Sequence, residues 1–252
     1  MSVRIFLDAG HGGKDNGATY GKRRESDDVL RLVKAIGRKL ESTYSNVCVG
    51  YSRTSDIYES PSKKAADANA FGATYFFSFH RNSSNGKAKG WETLYKSQSA
   101  RKDDVRYDLA AKMQQIGFVI REDKQRNDLA VLNQTKMPAL LFEIGFIDNV
   151  SDNKIFDQKF DQIVDAFVDT FGRRCGLTKI KKDKKKGCFS NNKNADNLSE
   201  FLHNRGYGAG EHNLRLIATA NCESKEVKDA LFELAKKGNL RKPDGLNCWD
   251  GK

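Results

Sequence analysis

The stretch Val3-Arg4-Ile5-Phe6-Leu7-Asp8-Ala9-Gly10-His11-Gly12-Gly13 decides how this chain reads. Its short apolar run stops at Asp8-Ala9-Gly10, the pattern of a buried strand that ends in a loop. His11 then sits among glycines, which let the backbone turn sharply and come close to a ligand. Working outward, Val29, Leu30, Leu32, Val33, Ile36 and Leu40 recur at helical spacing, with Ser26 as the expected cap. Val47 to Tyr51 reads as a second strand and Ser62 to Phe71 as a helix. The aromatic run from Thr74 to Phe79 is β-prone, and Trp91 to Tyr95 is a further short strand. Val105, Leu109, Met113 and Ile116 mark a helix, and Ala139 to Phe142 a strand directly after Pro138. Ile155, Phe156, Phe160, Ile163, Val164, Phe167 and Phe171 form one apolar helical face. Strands alternating with helices predict an α/β fold: a mainly parallel, twisted sheet flanked by helices on both faces.

A change of composition sets the domain boundary. Thr178 to Gly187 holds six lysines in ten residues and almost nothing to bury. Like charges keep such a segment extended. The expected division is therefore a first domain over residues 1–177, a Lys-rich linker over 178–187, and a small domain over 188–252. In the last, Leu198, Phe201 and Leu202, then Leu214, Ile217 and Ala218, then Val227, Leu231, Leu234 and Ala235 suggest three short helices, a mostly helical or α+β unit. A core that small is marginal, so self-association is an expectation for it.

The chain has 252 residues and a formal net charge of +11, a balance that favours polyanionic partners such as nucleic acid or an anionic wall polymer. No apolar run is long enough to span a bilayer. The start, Met1-Ser2-Val3-Arg4, turns polar too soon for a signal peptide, so synthesis in the cytoplasm is expected. Five cysteines, none at CxxC spacing, read as free thiols.

Chemistry gathers on few residues. His11 and His80 each lie just past a predicted strand, and Glu143 follows Ala139-Leu140-Leu141-Phe142. In open α/β sheets, sites form beyond the carboxyl ends of the strands, so these groups should meet at one rim. Glu25, fourteen residues after His11, lies where a loop can fold its carboxylate back. Two imidazoles and a carboxylate make a three-ligand Zn2+ site with one position left for water. Glu143 would then act as base, and later as acid to a leaving amine. The plainer alternatives are a core histidine at position 80 and a solvated helix-start carboxylate at position 25. A carboxylate ending an apolar strand, as Glu143 does, is costly to bury without a partner.

At this point the segments resemble a known family, the zinc-dependent N-acetylmuramoyl-L-alanine amidases of the amidase-3 type, found in bacterial autolysins and phage endolysins. The resemblance rests on Asp8 to Ala18, Glu25, Ser52-Arg53-Thr54-Ser55-Asp56, Phe77-Ser78-Phe79-His80-Arg81-Asn82, Val131 to Ala139 and Glu143 to Asn149. It implies His11, Glu25 and His80 as metal ligands, Glu143 as the catalytic residue, and hydrolysis of the amide between N-acetylmuramic acid and L-alanine in peptidoglycan. Arg81 stands where the family commonly has a small residue; it and Asn82 are expected to bind substrate, Arg81 through a stem-peptide carboxylate. Asn213 to Ala218 and Leu234 to Pro243 resemble small C-terminal modules of phage lysins and autolysins. That likeness implies that residues 188–252 bind the wall, including its anionic Gram-positive polymers. The implied setting is an endolysin made in the host cytoplasm that reaches the wall through a holin-type lesion, without nucleic acid and without membrane insertion. Two other readings stay open: a zinc peptidase on stem peptides, and a non-catalytic polyanion binder.

Overall fold

In the computed structural model, which describes residues 2–96 and 100–180, the first apolar run forms β1 (Val3–Ala9) at the heart of a sheet. It pairs in parallel with β4 (Val47–Tyr51) on one side and β5 (Tyr75–Asn82) on the other. Beyond β5 come β8 (Ala139–Phe146), β6 (Trp91–Tyr95) and the two-residue β7 (Lys124–Gln125), giving the order β4-β1-β5-β8-β6-β7. β5 and β8 are parallel, whereas β6 runs antiparallel to β8. The readings that concern residues 188–252 lie outside the described residues.

Alternation along the strands sorts the core into two layers. Tyr75, Phe77 and Phe79 of β5, with Leu140, Phe142 and Ile144 of β8, face α1 (Glu25–Thr43), α3 (Ala100–Ile116), α5 (Val150–Gln158) and α6 (Phe160–Arg174). Phe77 stacks on Phe171 with ring centroids 4.1 Å apart, and Phe167 packs edge-on to Phe142. Phe6, Phe76, Leu94 and Leu141 point the other way, against α2 (Pro61–Phe71) and α4 (Ala130–Asn133). The same second face of β5 continues from Phe76 through Ser78, His80 and Asn82. It turns polar as it nears the carboxyl end of the strand.

The chain crosses from β1 through α1 to β4, then returns through α2 to β5 on the opposite side of β1. This reversal opens a crevice at the carboxyl ends of β1 and β5, the usual place for a ligand in such sheets.

Three local expectations change. Ser26 does not cap α1: the helix begins at Glu25 after an extended Arg24, with no side-chain cap, and the Ser26 hydroxyl is buried inside. A two-strand hairpin, β2 (Thr19–Tyr20) with β3 (Arg23–Arg24), brings the chain to that start instead. The single apolar face from Ile155 to Phe171 belongs to two helices, broken at Lys159, whose ψ of 19° leaves the helical range. Asn149 caps the first of them by accepting from the Ser151 and Asp152 amides. At the far end, Thr178 N–H donates to Asn46 Oδ1 at 2.6 Å and Ile180 N–H to the Thr43 carbonyl at 2.9 Å. The opening residues of the Lys-rich stretch thus stay bound to the end of α1.

Candidate active site

The loop after β1 carries His11 at φ +56°, among the described residues the one non-glycine with positive φ. A left-handed imidazole-bearing residue is uncommon and is held only where its surroundings over-determine it. Here they do. Gly12 and Asp15 exchange backbone hydrogen bonds, and Gly12 (φ +126°) lies so close to Ile57 that a Cβ would meet its carbonyl oxygen at 2.3 Å. Arg53, which is buried, donates from Nε to the Ala9 carbonyl at 3.1 Å and from Nη2 to the Gly10 and Ser26 carbonyls, both at 2.8 Å. Below it, Lys64 pairs with Asp8 at 2.9 Å and donates to the Ala9 carbonyl, while the Ser78 hydroxyl donates to Asp8. These buried polar groups are satisfied by one another, so they fix the end of β1 firmly.

His11, Glu25 and His80 meet above this platform. Glu25 Oε1 lies 3.2 Å from His11 Nε2 and 2.9 Å from His80 Nδ1. One potential ligand atom from each of the three falls within 4.8 Å of the others. Glu25 is further held by the amides of Ala18 and Arg81, which donate to Oε2 and Oε1 at 2.8 and 3.0 Å. Asp15 Oδ2 sits 2.9 Å from His11 Nδ1, which turns Nε2 toward Glu25. A carboxylate behind an imidazole fixes its orientation and raises its basicity. Sequence reasoning gave Asp15 no role; its only signal was a carboxylate four residues after a histidine in a glycine-rich loop. The ring of His80 lies over Gly10, and Gly17 (φ +65°) leaves room for Glu25 and His11 in the same way.

The electrostatics follow from this crowding. Burial would raise the Glu25 carboxyl, but hydrogen bonds and charge from His11 and His80 outweigh it and hold it far below the usual carboxylate range. Burial would lower His11, yet Glu25 and Asp15 raise it to about 9. His80 is raised by Glu25 against the same opposition. Two imidazoles held beside an ionised carboxylate offer their lone pairs to a metal cation once the imidazole protons leave.

Glu143 pairs with His80 across β8 and β5, on the face that carries Leu141. Its Oε2 is buried and makes no hydrogen bond among the described residues. Burial pushes this carboxyl up to about 7, with Glu25 and Glu92 adding to the rise and His80 opposing it. Carboxyls tuned close to neutrality suit proton transfer at working pH.

The two residues expected to bind substrate part company. Asn82 lies on the site face, its amide 3.5 Å from Glu92 Oε2. Arg81 is corrected. One step along the strand from His80, it points to the opposite face, where its fully buried guanidinium donates to Asp28 and Asn153 and lies 4.3 Å from the Phe156 ring centroid. Buried there, it does not reach the side of the sheet that carries Glu143. Glu92, which the sequence reading passed over as a strand residue, stands directly opposite Glu143 in the β6–β8 pairing.

Comparison with known proteins adds an independent line. Residues 5–170 match the model of the Amidase_3 family, described as N-acetylmuramoyl-L-alanine amidase. The chain is 36% identical over 151 residues to the N-acetylmuramoyl-L-alanine amidase CwlM of Bacillus licheniformis, covering 60% of this chain and 59% of that protein. It is 39% identical over 156 residues to a sporulation-specific N-acetylmuramoyl-L-alanine amidase of Bacillus subtilis, covering 61% and 60%. It is 40% identical over 156 residues to an endolysin of Bacillus phage SPP1, covering 59% and 56%. The match thus spans less than two thirds of each of these relatives. Among solved structures, an N-acetylmuramoyl-L-alanine amidase from Clostridium difficile 630 superposes with a TM-score of 0.64 at 27% identity, over 69% of this chain and 97% of that one.

Proposed function

Because the chain belongs to the Amidase_3 family of N-acetylmuramoyl-L-alanine amidases, we propose that it hydrolyses the amide joining N-acetylmuramic acid to L-alanine in peptidoglycan. The observation that carries this reading is the convergence of His11, Glu25 and His80 beside a buried Glu143 oxygen that makes no hydrogen bond among the described residues.

The residues fit a zinc ion. Two imidazole nitrogens and one carboxylate are the donor set of open, catalytic zinc sites, and Asp15 behind His11 is the supporting carboxylate such sites use. When bound, zinc would polarise the scissile carbonyl and make a water easier to deprotonate. The protein's own groups do the rest. Glu143 Oε2 accepts the proton of the attacking water and returns it to the nitrogen of the departing L-alanine. The burial of Glu143 Oε2 limits bulk water around it. Asn82, on the same face, contacts the substrate beside Glu92.

In the same reading residues 1–177 carry the reaction, 178–187 form a tether whose first three residues stay on the end of α1, and 188–252 bind the wall. Likeness to the phage SPP1 endolysin supports a lytic role, with the enzyme reaching the wall from the host cytoplasm. Likeness to the sporulation-specific amidase supports a second setting, in a sporulating host. Among the described residues, no helix is long and apolar enough to cross a membrane.

The test is direct. Purified peptidoglycan is incubated with the zinc-loaded full chain and the new amino termini are identified. New L-alanine termini support the amidase. Cleavage confined to later stem residues would make the chain a peptidase, and intact peptidoglycan would end the reading.

A further inference from the structure

Glu92 is the second residue of β6, its side chain only 4% exposed and facing the same side of the sheet as Glu143, its cross-strand partner. Two carboxylates opposite one another on neighbouring strands repel, and a buried carboxylate is costly without cations. Two cations answer that need. Lys124 Nζ lies 2.7 Å from Glu92 Oε1, and Arg121 Nε lies 3.4 Å from the same atom. Both reach solvent, with side chains 52% and 38% exposed. Arg121 uses only its Nε edge on Glu92. Among the described residues its two Nη groups make no hydrogen bond, and its guanidinium lies 5.2 Å from the ring of Phe146, the last residue of β8. The pair therefore stands at the carboxyl rim of the sheet, next to Glu143 and on the side away from His11.

We propose that Arg121 and Lys124, gathered on the buried Glu92, form a subsite for the α-carboxylate of the second stem residue, the one after the L-alanine released. The idea rests on the amidase reading and deepens it, by giving the cleft a peptide end. Neighbouring strands are about 4.8 Å apart, so the cations stand roughly 5–10 Å from Glu143. An extended peptide covers about 3.3 Å per residue, which places a carboxylate one to two residues beyond the cut bond within their reach. The paired Nη groups of an arginine match a carboxylate's two oxygens. The subsite takes over the task that the sequence had suggested for Arg81.

The experiment reads binding, without turnover. The full chain is titrated by calorimetry with L-alanyl-γ-D-glutamyl-L-lysine, and with the same peptide carrying a carboxamide in place of the glutamyl α-carboxylate. The free acid is expected to bind about 10-fold tighter, the effect of one charge-assisted pair. Arg121→Gln and Lys124→Gln should each shrink that ratio, and the double variant should bring it close to one, while Lys124→Arg keeps it. Both side chains are exposed, so the variants are expected to fold, which circular dichroism checks. Equal affinity for the two peptides in the parent, no measurable binding of either, or a ratio that survives in the double variant overturns the proposal. A chain that discriminates between the peptides yet leaves peptidoglycan intact would count against the reaction alone.

Discussion

The imidazole of His80 lies against the backbone of Gly10 so closely that a Cβ on residue 10 would meet His80 Cε1 at 2.4 Å. The glycine here serves proximity, since its φ is not in the left-handed region. Gly10→Ala should therefore push the ring off its line to Glu25 without straining the backbone. Zinc affinity is expected to fall about 10- to 100-fold, the usual effect of disturbing the support of a ligand. Competition with a fluorescent chelator measures it. An alanine variant that binds zinc like the parent would show that His80 does not need this position.

Glu143→Gln removes the group assigned to proton transfer while keeping its shape. Turnover on peptidoglycan should drop by about 10²- to 10⁴-fold, with zinc content equal to that of the parent by metal analysis. Loss of zinc along with activity would instead make Glu143 a ligand.

The same substitution has an opposite effect on stability once metal is stripped. In the folded chain the Glu143 carboxyl is raised to about 7 from an ordinary value of 4.5. Its protonated form is thus favoured by folding, a contribution complete below about pH 4.5 and lost as pH climbs through 7. Glutamine does not ionise and loses nothing. At pH 8 the metal-free variant should be more stable than the metal-free parent by about 3 kcal/mol, and the two should converge near pH 4. Urea unfolding at the two pH values decides it; parallel curves at both would mean that the carboxyl ionises freely.

Zinc and protons should compete for His11, which Glu25 and Asp15 raise to about 9. Below that pH the ring must give up its proton to bind metal. Apparent zinc affinity should therefore climb steadily from pH 6 to 9, with proton release on titration in buffers of different ionisation enthalpy. A flat profile over that range would contradict the arrangement of the three residues.

Arg81→Met should cost stability and spare substrate affinity. Removing the buried guanidinium leaves Asp28 with Arg23 as its one cation among the described residues, 2.7 Å away, and takes the donor from Asn153, at about 1–3 kcal/mol. Thermal unfolding checks the loss, and the KM of the remaining folded enzyme should stay within twofold of the parent. A large rise in KM would return Arg81 to the substrate.

The sequence conveyed the fold where pattern and burial agree. Phe77 and Phe79, then Leu140 and Phe142, alternate so regularly that their strands could be read directly, and α1 showed itself through Val29 to Leu40. His11, His80 and Glu143 drew notice because each follows a predicted strand; in the structure His80 and Glu143 lie within β5 and β8, which run on past them. What escaped notice depends on contacts distant in the chain. The direction in which Arg81 points is fixed by the parity of β5, and a resemblance to small-residue positions gave no hint of Asp28 across the interface. Glu92 looked like an ordinary strand residue because only the antiparallel pairing of β6 sets it opposite Glu143. Lys159 lies within an unbroken apolar rhythm, so the break between α5 and α6 left no trace in spacing.

Arg53 ties the carbonyls of Ala9 and Gly10, just before His11, to that of Ser26, just after Glu25. Two donors that arrive from separate segments therefore hang from one planar hub, and thermal excursions of either segment are shared by the other. Their mutual spacing is rehearsed before any ion arrives. What an incoming cation has left to organise is chiefly the imidazole that comes from β5.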